Sequence, residues 1–568
     1  MDKKWWQKEV IYQIYPKSFK DTNGDGIGDL NGIREKLPYL HDLGITMIWI
    51  CPMFPTPMAD NGYDIADYRG VEPLFGTMAD IDALIAEAKA LDIKIILDLV
   101  VNHSSDEHPW FKEAIANPTS KYRDYYIFKK PVDGQPPNNW RSIFGGSVWE
   151  IAEGEQLGEY YFHTFHKKQP DLNWENPAVR QEVADLVNFW FERGVEGFRI
   201  DAIVFIKKDF SLTFAPDGPD GLADVNLGGA NMPGMIEFLA ELKERTFAAY
   251  DKVSIAEAAG VPYEKLDEYI GRERGVFDMM FDFKTTEFDL QTEGIWTSYY
   301  DWDVKDYKAM MYNSQVEVGK HGWATTFISN HDQPRAASKY LRANARNPYA
   351  VKALATTYFF VKGTPFVYQG QELGMVNFKW DDIYKYDDIS TIDQYERALL
   401  LEVDEDNAIE LVNRRSRDNT RTPMPWDDSE NAGFTTGTPW LPLTETYDEI
   451  NVKAQEGVGD SVFSYYKEMI ALRQHSDYSD TLIYGDFEPL PSSDDVFVYK
   501  RVAESNTIIV IANWSEEIQV ETIPELGDIA DIAAGKVVLS NYAEAEGALA
   551  VAGNQVTLRP FEAAVIAL

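Results

Sequence analysis

The stretch Lys94-Ile-Ile-Leu-Asp-Leu-Val-Val-Asn-His103 decides how this chain folds. From Lys94 to Val101 it is nearly all apolar, as expected of a strand buried on both faces of a parallel sheet. The run then breaks into two polar residues, Asn102 and His103, at its carboxyl end. Upstream, Ile81, Leu84, Ile85, Ala88 and Leu91 recur at helical spacing, and Thr77 and Asp80 stand before them like a capping box with Asp for Glu. Earlier strand candidates are Val10–Tyr15 and Met47–Cys51. Pro38 lies inside the helical pattern Ile33–Leu43 and splits it, because proline has no N–H to give the helix. Downstream, alternation stops between about Asn102 and Asn173, a stretch rich in Pro, Gly, Asn and aromatics and too long for a loop. It resumes where Asn176-Pro177 opens a helix with Val183, Leu186, Val187 and Trp190 on one face. Strand candidates follow at Gly197–Asp201, Val253–Glu257, Val276–Met280, Thr325–Ser329 and Pro365–Gln369. Eight strands with helices between them spell an α/β chain with a (β/α)8 TIM barrel.

The barrel is expected over 1–103 and 174–480, with 104–173 as an inserted subdomain after the third strand. Residues 371–455 are polar and turn-rich, an excursion before an eighth helix near 459–474. Beyond that the pattern changes. Val496–Tyr499, Thr507–Ile511, Val537–Leu539 and Gln555–Leu558 are β-like runs between turns, so 481–568 reads as a separate all-β sandwich domain.

Composition narrows the class. The chain has 568 residues, 45% hydrophobic and 13% aromatic, enough apolar surface for a large core. Lys and Arg number 53 against 93 Asp and Glu, a net charge of −40. Such a chain repels phosphate backbones, so no nucleic-acid partner is expected. Cys51 is the only cysteine, which precludes an intrachain disulfide and fits a reducing compartment. No signal-peptide core or apolar run of membrane-spanning length is present, so the expected setting is cytoplasmic, with no membrane partner.

In such a barrel the chemistry sits where strands end. Four strand ends carry polar clusters: Asp98 with Asn102 and His103, Arg199 with Asp201, Glu257, and Asn330-His331-Asp332. Arg199 and Asp201 are two apart and face one side. Carboxylates converging in one mouth push one pKa up and leave another ionised, which an acid and a nucleophile require. Each residue alone also fits a plainer role, such as a helix N-cap for an Asp or a hydrogen-bonded loop residue for His103.

The ordered set resembles the α-amylase superfamily of glycoside hydrolases, and within it the oligo-1,6-glucosidase and α-glucosidase branch. The segments that carry the resemblance are Asp98–His103, Gly197–Asp201, Ile255–Glu257 and Phe327–Arg335, with Gln169-Pro-Asp-Leu-Asn173 and Arg417–Trp426 as branch-level matches. It runs from Trp5 into the final β domain. The resemblance implies Asp201 as nucleophile, Glu257 as general acid/base and Asp332 as a third carboxylate that orients the sugar. It places Arg199 beside Asp201 to keep it ionised, His103 and His331 on sugar hydroxyls, and Asp60 with Arg417 as a clasp on the terminal glucose. Tyr63, Phe144, Phe165 and Gln169 would be pocket or leaving-site contacts, though Tyr63 and Phe144 read equally as core aromatics. The implied reaction is retaining and exo-acting, with the Asp201 and Glu257 carboxyls about 5–5.5 Å apart. The residue after the nucleophile is the branch's linkage selector. Ala202, in place of valine, points to α-1,4 or mixed linkage.

Asp21, Asn23, Asp25 and Asp29, with the Ile27 carbonyl, space oxygen ligands along Asp21-Thr-Asn-Gly-Asp-Gly-Ile-Gly-Asp29. Gly26 permits the sharp turn, but Gly32 stands where an EF-hand has its bidentate Glu. The loop also reads as a hydrogen-bonded Asx/Gly turn. The resemblance implies a structural Ca²⁺ here and no organic cofactor. The expected partner is a small oligosaccharide substrate, on a monomer or weak homo-oligomer. Competing functions are a strict oligo-1,6-glucosidase (isomaltase or dextran glucosidase), and a trehalose-6-phosphate hydrolase with Lys167 and Lys168 near a phosphate. A catalytically dead, partner-binding relative would carry a membrane helix and lack the acids, and this chain does neither. Sucrose-isomerising relatives carry an Arg-rich stretch near the sixth strand; the corresponding Asp282–Trp296 holds no arginine, so the resemblance does not imply isomerisation.

Overall fold

The computed structural model describes residues 3–292, 294–526 and 537–568. Eight parallel strands form the central sheet: β1 (Ile11–Ile14), β2 (Met47–Ile50), β3 (Lys94–Val100), β4 (Gly197–Asp201), β5 (Val253–Ala256), β6 (Met279–Met280), β7 (Thr325–Thr326) and β8 (Thr364–Tyr368). Their order is β6-β5-β4-β3-β2-β1-β8-β7, and a parallel bridge from Met280 to Ala324 closes the ring. Strand residues alternate between two cores. Ile11, Met47, Trp49, Ile96, Val253, Ile255 and Phe366 fill the barrel interior, while Tyr12, Ile48, Ile50, Ile95, Leu97 and Leu99 pack outward under the helices.

The local signals act as their chemistry dictates. Thr77 and Asp80 close a capping box on Met78–Ala90. The Pro38 pattern divides at Lys36 into helices Leu30–Glu35 and Leu37–Leu43. β6 and β7 are shorter than their apolar runs. The N–H groups of Val276 and Phe277 donate to Glu268 and Tyr269 carbonyls in the preceding helix, so they cannot join the ladder.

After β3 the chain builds a helix, Pro109–Ala116, and a three-stranded antiparallel sheet of Phe128–Lys129, Tyr160–Phe162 and Trp149–Glu150. A further strand there, Trp140–Arg141, pairs with Ala223–Asp224 from beyond β4, a contact with no sequence signal. The excursion contains two helices that its polar composition hid, Ile389–Leu400 and Glu405–Asn413, N-capped by Asp388 and Asp404. The barrel's last helix is Val462–His475. A short helix, Ser479–Tyr484, straddles residue 480, and the first strand beyond it starts at Asp486. Among the described residues, a five-stranded and a three-stranded antiparallel sheet follow. Val498, Ile509 and Ile511 of the larger sheet pack on Val556 and Leu558 of the smaller one. Phe497, Tyr499, Ile508 and Val510 turn the other way, into the core shared with the barrel helices. None of the described helices is long and apolar enough to cross a membrane.

Candidate active site

Ile96 points into the barrel, so by the two-residue period of a strand Asp98 does too. Asp98 lies opposite Arg199 in the β3–β4 ladder. Glu257 stands just past the tip of β5, where its N–H donates to the Ile200 carbonyl at 2.9 Å. One guanidinium therefore meets three carboxylates. Arg199 Nη1 donates to Asp98 Oδ1 and Asp201 Oδ1, both at 2.6 Å, and Nη2 donates to Glu257 Oε2 at 2.5 Å. Arg199 is 1% exposed, so water hardly screens the group. Burial, then the neighbouring Glu257 and Asp98 charges, push the Asp201 carboxyl up against the pull of Arg199. Burial also lifts Asp98 to about 6. Arg199 does lie against Asp201, and its charge is divided among three acids.

The other carboxylate is held differently. Asp332 accepts from Arg421 Nη2 at 2.8 Å and His331 Nε2 at 3.1 Å, with Arg417 Nη1 at 3.5 Å. Burial opposes ionisation there, yet the His331 N–H and the two guanidinium groups hold its carboxyl well below the usual range. Burial pushes His331 itself down to about 3, so it is neutral. Its Nδ1 accepts from Gln13 Nε2 at 2.8 Å, which leaves the proton on Nε2, 2.5 Å from Tyr63 Oη. Tyr63 in turn donates to Asp98 Oδ2 at 3.0 Å and stacks on His331. It is therefore both a core aromatic and a wall of the site.

The clasp forms across a long sequence separation. Arg417 Nη2 donates to Asp60 Oδ1 at 3.0 Å, and Gln169 Nε2 donates to Asp60 Oδ2 at 3.1 Å. Arg417 Nε donates to Asp388 Oδ1 at 2.7 Å, which fixes its direction. Phe144 lies under the Arg417 guanidinium and beside Phe165, and Phe165 packs on His103. His103 Nε2 donates to the Tyr63 carbonyl at 3.0 Å.

Ala202 is left-handed, with φ 43° and ψ 33°. This bend aims its N–H at Glu257 Oε2, 3.0 Å away. Non-glycine residues are uncommon in this region, and β-branched ones are strained there.

A cavity of about 230 Å³ gathers Asp60, Tyr63, His103, Phe144, Phe165, Asp201, Ala202, Glu257, Asp332 and Arg417 into one wall. Gln169, Arg199 and His331 stand behind that wall. Several site residues went unread in the sequence: Asp98 as a partner of Arg199, Arg421, Asp388 and Gln13, and, lining the same cavity, Glu287, Trp296, Gln333, Gln394 and Arg415. Arg421 had a signal, since it lies four residues beyond Arg417 and on the same helical face. Gln333 lay inside the Phe327–Arg335 match, whereas Glu287, Trp296, Gln394 and Arg415 had no signal.

The Asp21–Asp29 loop is closed by its own hydrogen bonds. Asp21 accepts from the N–H groups of Asn23, Gly24 and Gly26, and Asp29 accepts from those of Thr22 and Gly32. Gly26 has φ +89°, and a Cβ there would lie 1.9 Å from the Thr438 carbonyl, so only glycine fits. The donors are all oxygen, the chemistry a hard cation takes. Among the described residues, no three His, Cys, Asp or Glu side chains stand as a metal-holding group.

Residues 13–485 match the family model described as alpha amylase, catalytic domain. The chain is 42% identical over 572 residues to an oligo-1,6-glucosidase of Parageobacillus thermoglucosidasius, covering 100% of this chain and 99% of the relative. It is 40% identical over 569 residues to a trehalose-6-phosphate hydrolase of Bacillus subtilis (strain 168), covering 99% and 98%. The crystal structure of isomaltulose synthase from Klebsiella sp. LX3 superposes with a TM-score of 0.92 at 36% identity, over 100% of both chains. With the barrel, the shared guanidinium and these full-length likenesses in hand, the chain belongs to the α-amylase family, on its oligo-1,6-glucosidase branch, and is a glycoside hydrolase.

Proposed function

We propose that this α-glucosidase is retaining and exo-acting, releasing the terminal non-reducing glucose from short oligosaccharides with α-1,4 or mixed linkage preference. The observation that carries this is Arg199, whose two terminal nitrogens hold Asp201 and Glu257 side by side. Two carboxyls on one guanidinium suit a nucleophile and an acid acting on one bond; retention requires them about 5–5.5 Å apart, against about 6.5–9.5 Å for inversion. Asp201 attacks the anomeric carbon while Glu257 gives its proton to the departing glycosidic oxygen. A water molecule then yields a proton to Glu257, its oxygen takes the anomeric carbon, and Asp201 leaves as carboxylate. Two inversions return α-glucose. Asp332, held ionised, orients the ring through its hydroxyls, and the Asp60–Arg417 clasp closes the pocket beyond the first glucose.

Linkage divides the supporting observations. The names of similar glucosidases favour α-1,6, whereas the small Ala202 side chain beside the nucleophile favours α-1,4 or mixed action. A phosphorylated disaccharide is disfavoured. Lys168 stands 3.8 Å from Asp106. Lys167 lines a groove with Glu150, Asp393 and Glu396, a balance that repels phosphate. Proton NMR with maltose and isomaltose supplied together reads linkage and anomer at once. Release of α-glucose from maltose first supports the proposal. Isomaltose consumed first makes this a strict oligo-1,6-glucosidase, and β-glucose sinks retention.

We also propose a structural Ca²⁺ at Asp21, Asn23, Asp25, the Ile27 carbonyl and Asp29. Alternate oxygen spacing and the tight packing of Gly26 on Thr438 support it. EDTA should lower the melting temperature by several degrees and added Ca²⁺ restore it. An unmoved transition removes the cation.

A further inference from the structure

The cavity is also lined by Glu287, Gln333, Trp296 and Gln394, of which only Gln333 lies in a motif, Phe327–Arg335. Glu287 ends the short helix Lys284–Glu287 beyond β6, Gln333 follows β7, and Gln394 lies in helix Ile389–Leu400. Glu287 and Gln333 join a network with Arg415. Arg415 donates to Asp289 at 2.5 Å and approaches Gln333 Oε1 at 3.3 Å, and Gln333 approaches Glu287 at 3.4 Å. The lining includes Trp296, 8% exposed and packed on Leu290 and Val412.

The backbone around Trp296 is pinned from outside its own segment. Leu290 bridges to Tyr299, and Tyr300 N–H donates to the Asp289 carbonyl at 2.7 Å. Tyr299 Oη donates to the Leu411 carbonyl at 3.0 Å. Gln394 then takes two backbone groups with one side chain. Its Oε1 accepts from Trp296 N–H at 2.9 Å, and its Nε2 donates to the Gly294 carbonyl at 3.1 Å. Gln394 is 5% exposed and bonds to no carboxylate of the reaction centre. A buried amide used up on a neighbouring backbone fixes position, since breaking either bond strands a polar group without water.

We propose that Trp296, held by Gln394, is the specificity-determining wall of the leaving-sugar site and restricts the enzyme to disaccharide-length substrates. The proposal rests on the α-glucosidase reading above. A rigid indole packed on its far side cannot yield to a third sugar ring, because close-packed interiors do not deform continuously. Gln394 acts as a positioning residue, and Trp296 makes the contact.

The test measures kcat/KM on maltose, maltotriose, isomaltose and isomaltotriose, with p-nitrophenyl α-glucoside confirming α-glucosidase activity in the wild type. The wild type should prefer each disaccharide to its trisaccharide. Gln394→Ala and Trp296→Ala should each raise the trisaccharide-to-disaccharide ratio by about 10-fold, the scale at which pocket shape discriminates. Gln394→Glu, which keeps the acceptor and loses the donor, should fall between. A purely structural role for Gln394 would lower both substrates together and leave the ratio unmoved, which overturns the proposal. So does a wild type that cleaves the trisaccharides as well as the disaccharides, with no variant needed. A wild type inactive on every α-glucoside overturns the α-glucosidase reading with it, whereas an active one with fixed ratios overturns the wall alone.

Discussion

The two ends of the cavity are built by opposite rules. At the glucose end, Asp60, Arg417, Asp332, Arg421 and His331 form one network of charge-assisted bonds, and each carboxylate is matched by a guanidinium or an imidazole N–H. At the leaving-sugar end, Glu287, Gln333 and Arg415 hold one another more loosely, at 3.3–3.4 Å between Gln333 and its two neighbours, and an indole on a pinned segment supplies the wall. The first end must recognise one ring and stabilise charge on it, so its geometry is over-determined. The second only needs a shape. On the proposed function, chemistry is concentrated in the first group and selectivity in the second.

That contrast can be broken or sharpened by mutation. The largest effects belong at the shared guanidinium. Asp201→Asn should lower kcat by about 10³-fold or more, since the covalent route needs the nucleophile. Glu257→Gln should cost about 10²–10⁴-fold on disaccharides and much less on an aryl glucoside, whose leaving group needs little protonation. Steady-state rates on both substrates check this. An Asp201→Asn enzyme keeping a tenth of its activity would remove the assignment.

Next comes Arg417→Ala. It leaves Asp60 and Asp388 buried without their cation, a loss of the class that costs about 3–5 kcal/mol. We expect kcat/KM to fall by about 10²-fold or more on every α-glucoside alike, with a lower melting temperature. Glu287→Gln at the opposite end should change discrimination between maltose and isomaltose only a few-fold and leave the aryl glucoside nearly untouched. Equal losses from both variants on all substrates would erase the distinction between the ends.

The smallest effect concerns the rim. Asp393 abuts Gly145, so close that a Cβ on that glycine would fall 1.8 Å from its oxygen. Burial, opposed by Arg397, lifts its carboxyl to about 7. A raised carboxyl stabilises the fold fully below its unfolded value near 4, and that contribution is lost as pH rises through 7. Asp393→Asn should remove it. Between pH 5 and 8 the wild-type melting temperature should therefore fall relative to the variant's by about 1–2 °C, readable by calorimetry. A constant difference would show that Asp393 does not titrate there.

Much of the reaction centre was legible before any coordinate. Asp98, Arg199 and Asp201 sit on strands whose period of two fixes their common face, and Glu257 and Asp332 follow apolar runs that mark strand ends. The same local logic found the capping box at Thr77 and the break at Pro38. These features depend on residues within a few positions of one another, so the sequence by itself determined the barrel, the place of the acids and the family. What only the tertiary structure decided depends on distance in the chain. Arg417 reaches Asp60 across 357 residues, and Gln394 grips Trp296 across 98. The division of one Arg199 charge among three acids needs three strands placed side by side. Sequence periodicity encodes which face a residue takes on its own element, but not which element lies opposite. The bond between Gln394 and Trp296 is such a meeting.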